Sequence, residues 1–200
     1  GFKTPTKSVR SVLSDRGEPL GRYPLSIEQV AEPESIALIV YALQQVVTSG
    51  TARAIGDRFG GGWGFAGKTG TSDGYRDSWY AGFSGDYLMV IWVGRDDNKT
   101  TGLSGASGAA HIWADTFANI LTRPLRSAAL ESIKPVLLDP KTGLRIAETC
   151  STGVILPYIV GYEPAIQNSC TGSAEADRVG KQNEFKTQRS VGEWIKGLFN

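Results

Sequence analysis

The sequence has few histidines and cysteines, almost no net charge and no long apolar run. One histidine and two cysteines occur among its 200 residues, too few for a structural zinc site with four His and Cys ligands. The 21 basic and 20 acidic residues nearly cancel, so no net charge favours nucleic acid or an anionic membrane surface. No run approaches the roughly 18 apolar residues of a transmembrane helix. The length allows one domain and part of another.

Glycine, by contrast, is abundant, and many of the 25 glycines surround one stretch, Gly67-Lys68-Thr69-Gly70-Thr71. Together with Gly62, this stretch fits the phosphate-binding pattern G-x-x-x-x-G-K-[ST]. A phosphate-binding loop must follow a buried strand and open directly into a helix. Here a run of glycines precedes the stretch, and the turn residues 72–74 follow it. The sequence therefore argues against a nucleotide-binding loop.

The residues around this stretch predict three consecutive strands, of which the stretch itself is the first. Ser78–Phe83 alternates between two faces, as a half-buried antiparallel strand does. Residues 87–94 are continuously apolar and predict a central strand that is covered on both faces. A K-T-G sequence on such a strand is the third motif of the penicillin-recognising serine acyltransferases, whose other motifs are S-x-x-K and S-x-N or S-D-N.

Four segments extend the likeness beyond this motif. K-T-G-T, D-S-W-Y-A-G-F, W-V-G-R-D and G-A-S-G-A follow one another between residues 66 and 109. In this order they resemble the transpeptidase domain of class A penicillin-binding proteins, above all the 1b type of Gram-negative bacteria. The resemblance is good over residues 8–121, thinner up to Cys170 and absent after it.

This resemblance implies an α/β fold, an antiparallel sheet flanked by helices, of which the chain forms the C-terminal half with a small β-rich appendage. The implied function is that of a peptidoglycan D,D-transpeptidase. Such an enzyme cross-links stem peptides through a serine acyl-enzyme, and β-lactams acylate it. No cofactor and no metal are implied.

The residue types of the stretch suit this chemistry. An extended peptide can add to a strand edge through main-chain hydrogen bonds, and Gly70 has no Cβ to hold the peptide away. Thr69 and Thr71 offer hydroxyl donors to the terminal carboxylate of D-alanyl-D-alanine, beside the positive charge of Lys68. By resemblance, the backbone N–H of Thr71 is one of two oxyanion-hole donors. We therefore expect Lys68 and Thr71 to be catalytic, and Thr69, Gly70 and Thr71 to bind substrate.

The two other motifs of this family are missing. No serine stands three residues before a lysine, and none stands two residues before an asparagine. Nucleophile, base and oxyanion strand must lie within hydrogen-bond reach of one another. We therefore expect the N-terminal part of the same protein, present as upstream sequence or as a second chain, to supply the nucleophilic serine. Without that part the chain should be inactive. The resemblance places the enzyme in the periplasm, attached to the inner membrane through a segment outside this chain.

Two other functions remain open from the residues. A β-lactamase-like hydrolase carries the same motif, but it needs no C-terminal appendage and its match beyond K-T-G is poorer. A non-catalytic regulatory or scaffold module of the same fold would need no nucleophile, and the missing S-x-x-K motif supports it only if no upstream partner exists.

Periodicity predicts the other elements of residues 1–124. Residues 8–23 predict a hairpin with its turn at 15–18, and residues 33–49 predict an amphipathic helix. The segment that ends this helix, up to Thr51, also resembles the family, but we assign it no chemistry. A second helix is predicted over residues 107–122.

Two features invite other chemistry, and for both a plain structural role is favoured. Asp96-Asp97-Asn98 could hold a cation, but no histidine or cysteine with ligand spacing accompanies these residues, which favours a solvated loop. His111, near the start of the predicted second helix, is expected to be a surface or boundary residue rather than a base.

Beyond Pro124 the composition changes. Residues 125–171 contain short apolar pieces separated by proline and glycine, which predict a small β-rich appendage. Cys150 and Cys170 bracket its last part. In a protein that resembles a periplasmic enzyme, a disulfide between them is favoured over two free thiols. Residues 172–200 are predicted to be a polar tail that ends in a short amphipathic helix over 190–198.

Overall fold

The computed structural model describes residues 1–126, 129–150 and 152–167. The chain divides into two compact units, Gly1–Ala128 and Ala129–Asn200. The predicted tail helix and Cys170 lie outside the described residues. The domain boundaries expected after residues 124 and 171 stay predictions.

The first unit begins with two small antiparallel pairs of strands. Strand β1 (Phe2–Lys3) pairs with β4 (Glu28–Gln29), and β2 (Ser11–Leu13) pairs with β3 (Pro19–Arg22). The hairpin predicted over residues 8–23 is therefore confirmed. Gly17 lies in its turn with φ of 81°, a left-handed conformation that glycine adopts without steric cost.

Two helices follow, α1 (Pro33–Thr48) and α2 (Arg53–Phe59). The first was predicted, and Pro33 occupies its first turn, where a missing N–H costs nothing. The second was not predicted. A Cβ at Gly56 would lie 2.5 Å from the Val47 carbonyl oxygen, so glycine lets α2 approach α1 closely. Among the described residues, no single helix is long and apolar enough to cross a membrane; α1 and α2 pass that test only as a pair bent by 79°.

A three-stranded antiparallel sheet forms the centre of the first unit. Its strands are β5 (Ala66–Thr71), β6 (Ser78–Phe83) and β7 (Leu88–Val93), in that order. The three strands predicted around the K-T-G motif are confirmed. The alternation predicted for β6 is also confirmed, since Ser78 and Tyr80 are buried and Trp79 is exposed.

The prediction that both faces of β7 are covered is wrong for the described chain. Leu88, Val90 and Trp92 are 70%, 54% and 50% exposed. The core residues of the helices pack instead with the opposite face, which carries Met89 and Ile91. One face of the sheet therefore meets the helices, and the other presents apolar side chains to solvent.

Helix α3 (Ala109–Phe117) packs its buried side against the sheet. The Trp113 ring lies 5.4 Å from that of Tyr80 and 3.8 Å from that of Phe117, and the Trp113 side chain is fully buried. The predicted position of His111 at the surface is confirmed.

The predicted extension of α3 to residue 122 is wrong, and Leu121 is 93% exposed. The chain leaves the helix because its next residues bind the turn between β6 and β7. The hydroxyls of Thr122 and Ser84 are hydrogen-bonded at 2.6 Å, and the backbone N–H of Arg123 donates to Asp86.

The second unit contains the antiparallel strands β8 (Ile133–Leu138) and β9 (Val154–Ile159). It buries Val136, Leu138 and Ile146, so the described part of the predicted appendage is β-rich. Cys150 is buried and disulfide-bonded. Its pairing with Cys170 stays a prediction.

Candidate functional site

The K-T-G motif occupies β5, which among the described residues has a neighbouring strand on one side only. In the antiparallel register, Lys68 faces Ala81 and Thr69 faces Tyr80. Because side chains alternate along a strand, Lys68 and Gly70 lie on the exposed apolar face of the sheet. Thr69 and Thr71 lie on the face that meets the helices. The rejection of a phosphate-binding loop is confirmed, since Lys68 is inside a strand rather than at a helix N-terminus.

The Lys68 side chain is half-buried, and its Nζ donates a hydrogen bond to the Thr69 carbonyl oxygen at 2.8 Å. Burial lowers the pKa of Lys68 below the value of 10.5 that is usual for lysine, because a charged ammonium loses hydration there. The backbone contact directs the ammonium along β5, toward the residues of its own motif.

The Thr69 hydroxyl has a partner that the sequence did not indicate. Its Oγ1 lies 2.7 Å from the Oγ1 of Thr51, in the segment between α1 and α2. These two residues are 18 positions apart, so no local pattern could predict their contact. The only sequence signal was the resemblance of the segment around Thr51 to the family.

The Thr71 hydroxyl accepts a hydrogen bond of 2.9 Å from the backbone N–H of Gly105, in the loop between β7 and α3. A Cβ at position 105 would lie 2.5 Å from the Trp79 carbonyl oxygen and 2.6 Å from the Gly70 carbonyl oxygen. Only glycine lets this loop lie directly against the motif strand. The G-A-S-G-A segment, which contains Gly105, was noted in the sequence without a role.

Ser78 holds the start of α3 beside the motif strand. Its Oγ donates to the Ser104 carbonyl oxygen at 2.7 Å and accepts the Ala109 N–H at 2.9 Å. A hydroxyl that accepts the first amides of a helix does the work of an N-cap. The loop that contacts Thr71 is therefore fixed on both sides, at β6 and at α3.

Gly70 lies opposite Trp79. A Cβ at position 70 would lie 3.1 Å from the Trp79 Cβ. Glycine at this position therefore has a packing reason within the sheet, in addition to the expected close approach of a substrate backbone.

Asp97, in the acidic segment after β7, forms ion pairs with Arg95 and Lys99. Hydrogen bonds from Arg95, followed by those from Lys99, lower the pKa of Asp97 to about 2. Within the described ranges, no group of three or more histidine, cysteine, aspartate or glutamate residues could hold a metal ion.

Comparison with curated proteins gives several relatives of one name, although no family model matches. The chain is 42% identical to penicillin-binding protein 1B of Buchnera aphidicola over all 200 residues, and covers 25% of that protein. It is 40% identical to penicillin-binding protein 1B of Vibrio cholerae over 199 residues, covering 23% of it. For the Escherichia coli protein of the same name, the identity is 35% over 139 residues and 16% of its length. The chain thus spans a quarter or less of these relatives.

Among solved structures, penicillin-binding protein 1A of Haemophilus influenzae, determined at 2.6 Å, matches with a TM-score of 0.66. The match covers 84% of this chain and 31% of that one, at 21% identity. At this identity the likeness concerns the fold. The predicted fold, an antiparallel sheet flanked by helices in a partial chain, is confirmed.

Proposed function

We propose that the chain forms part of a peptidoglycan D,D-transpeptidase. Its family supports this proposal, because the chain is a homologue of penicillin-binding protein 1B and corresponds to the C-terminal part of its transpeptidase domain. The substrate would be a stem peptide that ends in D-alanyl-D-alanine. The N-terminal part of the same protein would supply the nucleophilic serine and its base. We call this chain together with that part the complete protein.

The observation that carries the proposal is the position of the K-T-G motif on an edge strand. In the part of the chain that the structure describes, strand β5 pairs with β6 and with no other strand, so a peptide can add along its other side. In such an addition, main-chain hydrogen bonds provide affinity and alternate side chains provide specificity. Thr69 and Thr71, two positions apart, would meet the same end of an added peptide.

The carboxylate of the terminal D-alanine would bind at the two threonine hydroxyls. The Gly105 amide can only donate, so Thr71 is the acceptor in their hydrogen bond, and the Thr71 proton is left to donate to an anion. The nearby ammonium of Lys68 would add attraction for the negative charge, and hydrogen bonds to ionised groups are the stronger ones.

The reaction follows from this placement. The serine oxygen would attack the carbonyl carbon of the penultimate D-alanine while its proton passes to the base. The carbonyl oxygen, now negative, would accept hydrogen bonds from the Thr71 N–H and from the N–H of the serine. Terminal D-alanine would then leave with the proton, and an amine of a second stem peptide would take the acyl group from the serine. β-Lactams would acylate the same serine, and the enzyme would work in the periplasm, anchored to the inner membrane outside this chain.

Intact-protein mass spectrometry of the complete protein, with and without benzylpenicillin, tests the proposal. We expect a stable gain of one drug mass, and a large loss of that gain in Lys68→Ala. Lys99→Ala is the matched control, since the Lys99 side chain is 74% exposed and binds Asp97. A gain that hydrolysis quickly reverses would point to a β-lactamase-like hydrolase. No gain at all would point to a non-catalytic module.

A further inference from the structure

The hydroxyl contact between Thr51 and Thr69 has no role in the reaction described so far. Thr51 Oγ1 lies 2.7 Å from Thr69 Oγ1, the pair is exposed, and either oxygen can be the donor. A side chain outside the motif therefore contacts the hydroxyl that would face the substrate carboxylate.

The position of Thr51 is firmly held by the residues around it. Its neighbour Ala52 is completely buried, and the Ala52 N–H donates to the Val46 carbonyl oxygen at 3.0 Å. Ile55, one turn further along, is 2% exposed. The Thr51 hydroxyl is thus an exposed group on a buried support, which is what a positioning role requires.

Counting protons shows what the pair can do. Each hydroxyl has one proton, and the bond between the two uses one of them. If Thr51 donates, the Thr69 proton remains for another acceptor. An anion beside Thr69 would favour that arrangement, because hydrogen bonds in a chain polarise one another. The Thr71 hydroxyl likewise keeps its proton for another acceptor, since it accepts a hydrogen bond from the Gly105 amide.

We propose that Thr51 is a positioning residue for the carboxylate subsite, donating to Thr69 so that the Thr69 proton points at the carboxylate of the acyl donor. This inference rests on the proposed function. Both threonines of the motif would then be held as donors by fixed partners, Thr51 for one and the Gly105 amide for the other. The subsite would accept an anion in preference to a neutral group of the same shape.

The test uses the complete protein and compares Thr51→Val with Thr51→Ser, because valine keeps the shape and serine keeps the hydroxyl. The probes are benzylpenicillin and its methyl ester, which lacks the negative charge. Pre-steady-state acylation separates the dissociation constant of the reversible complex from the acylation rate. We expect Thr51→Val to weaken reversible binding of benzylpenicillin about three- to tenfold and to leave binding of the ester unchanged. Thr51→Ser should bind benzylpenicillin as the wild type does.

A double-mutant cycle with Thr69→Val completes the test. If Thr51 acts through Thr69, Thr51→Val has no further effect in the Thr69→Val background. Three outcomes would each overturn the inference while leaving the proposed function intact. Thr51→Val could bind benzylpenicillin as tightly as the wild type, it could lose equal affinity for the methyl ester, or its loss could add to that of Thr69→Val in the cycle. If the unaltered complete protein is not acylated at all, the proposed function fails and the inference falls with it.

Discussion

The Gly105 amide donates to the Thr71 hydroxyl at 2.9 Å and so joins the loop before α3 to the end of the motif strand. This bond requires the loop backbone to lie against β5 and β6. A Cβ at position 105 would come within 2.8 Å of the Gly70 backbone nitrogen, closer than side chains tolerate. The geometry of the proposed carboxylate subsite thus depends on a glycine 34 positions from Thr71.

Gly105→Ala is therefore expected to slow β-lactam acylation of the complete protein at least about tenfold, with a loss of stability of about 1–3 kcal/mol from overpacking. Gly61→Ala is the matched control, because a Cβ there would meet nothing within 4 Å. Acylation kinetics and thermal unfolding of the two variants give the comparison. Wild-type acylation by Gly105→Ala would show that the loop does not shape the site.

The lowered pKa of Lys68 predicts a pH dependence. Because burial lowers this pKa, the ammonium loses its proton at a lower pH than an exposed lysine does. Reversible binding of a carboxylate-bearing β-lactam should therefore weaken on the alkaline side before pH reaches 10.5. Arginine stays charged over this range, so the alkaline loss should be smaller in Lys68→Arg. If binding weakens equally at alkaline pH in the wild type and in Lys68→Arg, the result would contradict a role for the Lys68 charge.

The lowered pKa of Lys68 also makes the stability of the fold depend on pH. The folded-state pKa of Lys68 lies below the unfolded one, so the unfolded chain binds more protons between the two values and stability rises with pH there. The cost of burying the charge is thus fully present below the folded pKa and is relieved as pH rises through it.

The ion pair of Asp86 and Arg123 predicts a loss of protein stability at acid pH. Hydrogen bonds from Arg123 lower the pKa of Asp86 below its usual 3.8. The pair therefore stabilises the fold above pH 3.8, and this contribution is lost as pH falls through the lowered pKa. Asp86→Asn and Arg123→Gln should both flatten the fall in melting temperature over this acid range. An unchanged acid-side slope in both variants would show that the pair contributes nothing.

Tyr80 offers a test of the core. Its side chain is fully buried, and its hydroxyl has no hydrogen-bond partner among the described residues. Removing an unpaired buried hydroxyl while keeping the ring should cost little, so Tyr80→Phe is expected to unfold at the same temperature or higher. Tyr80→Ala should lose about 3–5 kcal/mol. A clear destabilisation of Tyr80→Phe would mean that the hydroxyl has a partner in the complete protein.

The sequence predicted those elements whose signals are local. The alternation of Ser78–Phe83 and the turn around Gly17 each depend on a few neighbouring residues, and both are confirmed. Helix α2 was missed because seven residues with a glycine inside carry no clear helical period. The end of α3 was misplaced because it is set by a contact between Thr122 and Ser84, 38 positions apart.

For the site, the sequence indicated the residues but not their partners. Placing Lys68, Thr69 and Thr71 on one edge strand follows from the motif and its alternation. The contacts of Thr69 with Thr51 and of Thr71 with Gly105 depend on how distant segments pack. The apolar run of β7 indicated a strand covered on both faces, but the described residues cover only one of them.

The most direct test of the account is a crystal structure of the complete protein acylated by benzylpenicillin. We predict that the drug carboxylate lies about 3 Å from the hydroxyl oxygens of Thr69 and Thr71, within hydrogen-bond distance. The oxygen of the acyl group should lie at a similar distance from the Thr71 backbone nitrogen. A serine-bound drug whose carboxylate lies away from the edge of β5 would contradict the account.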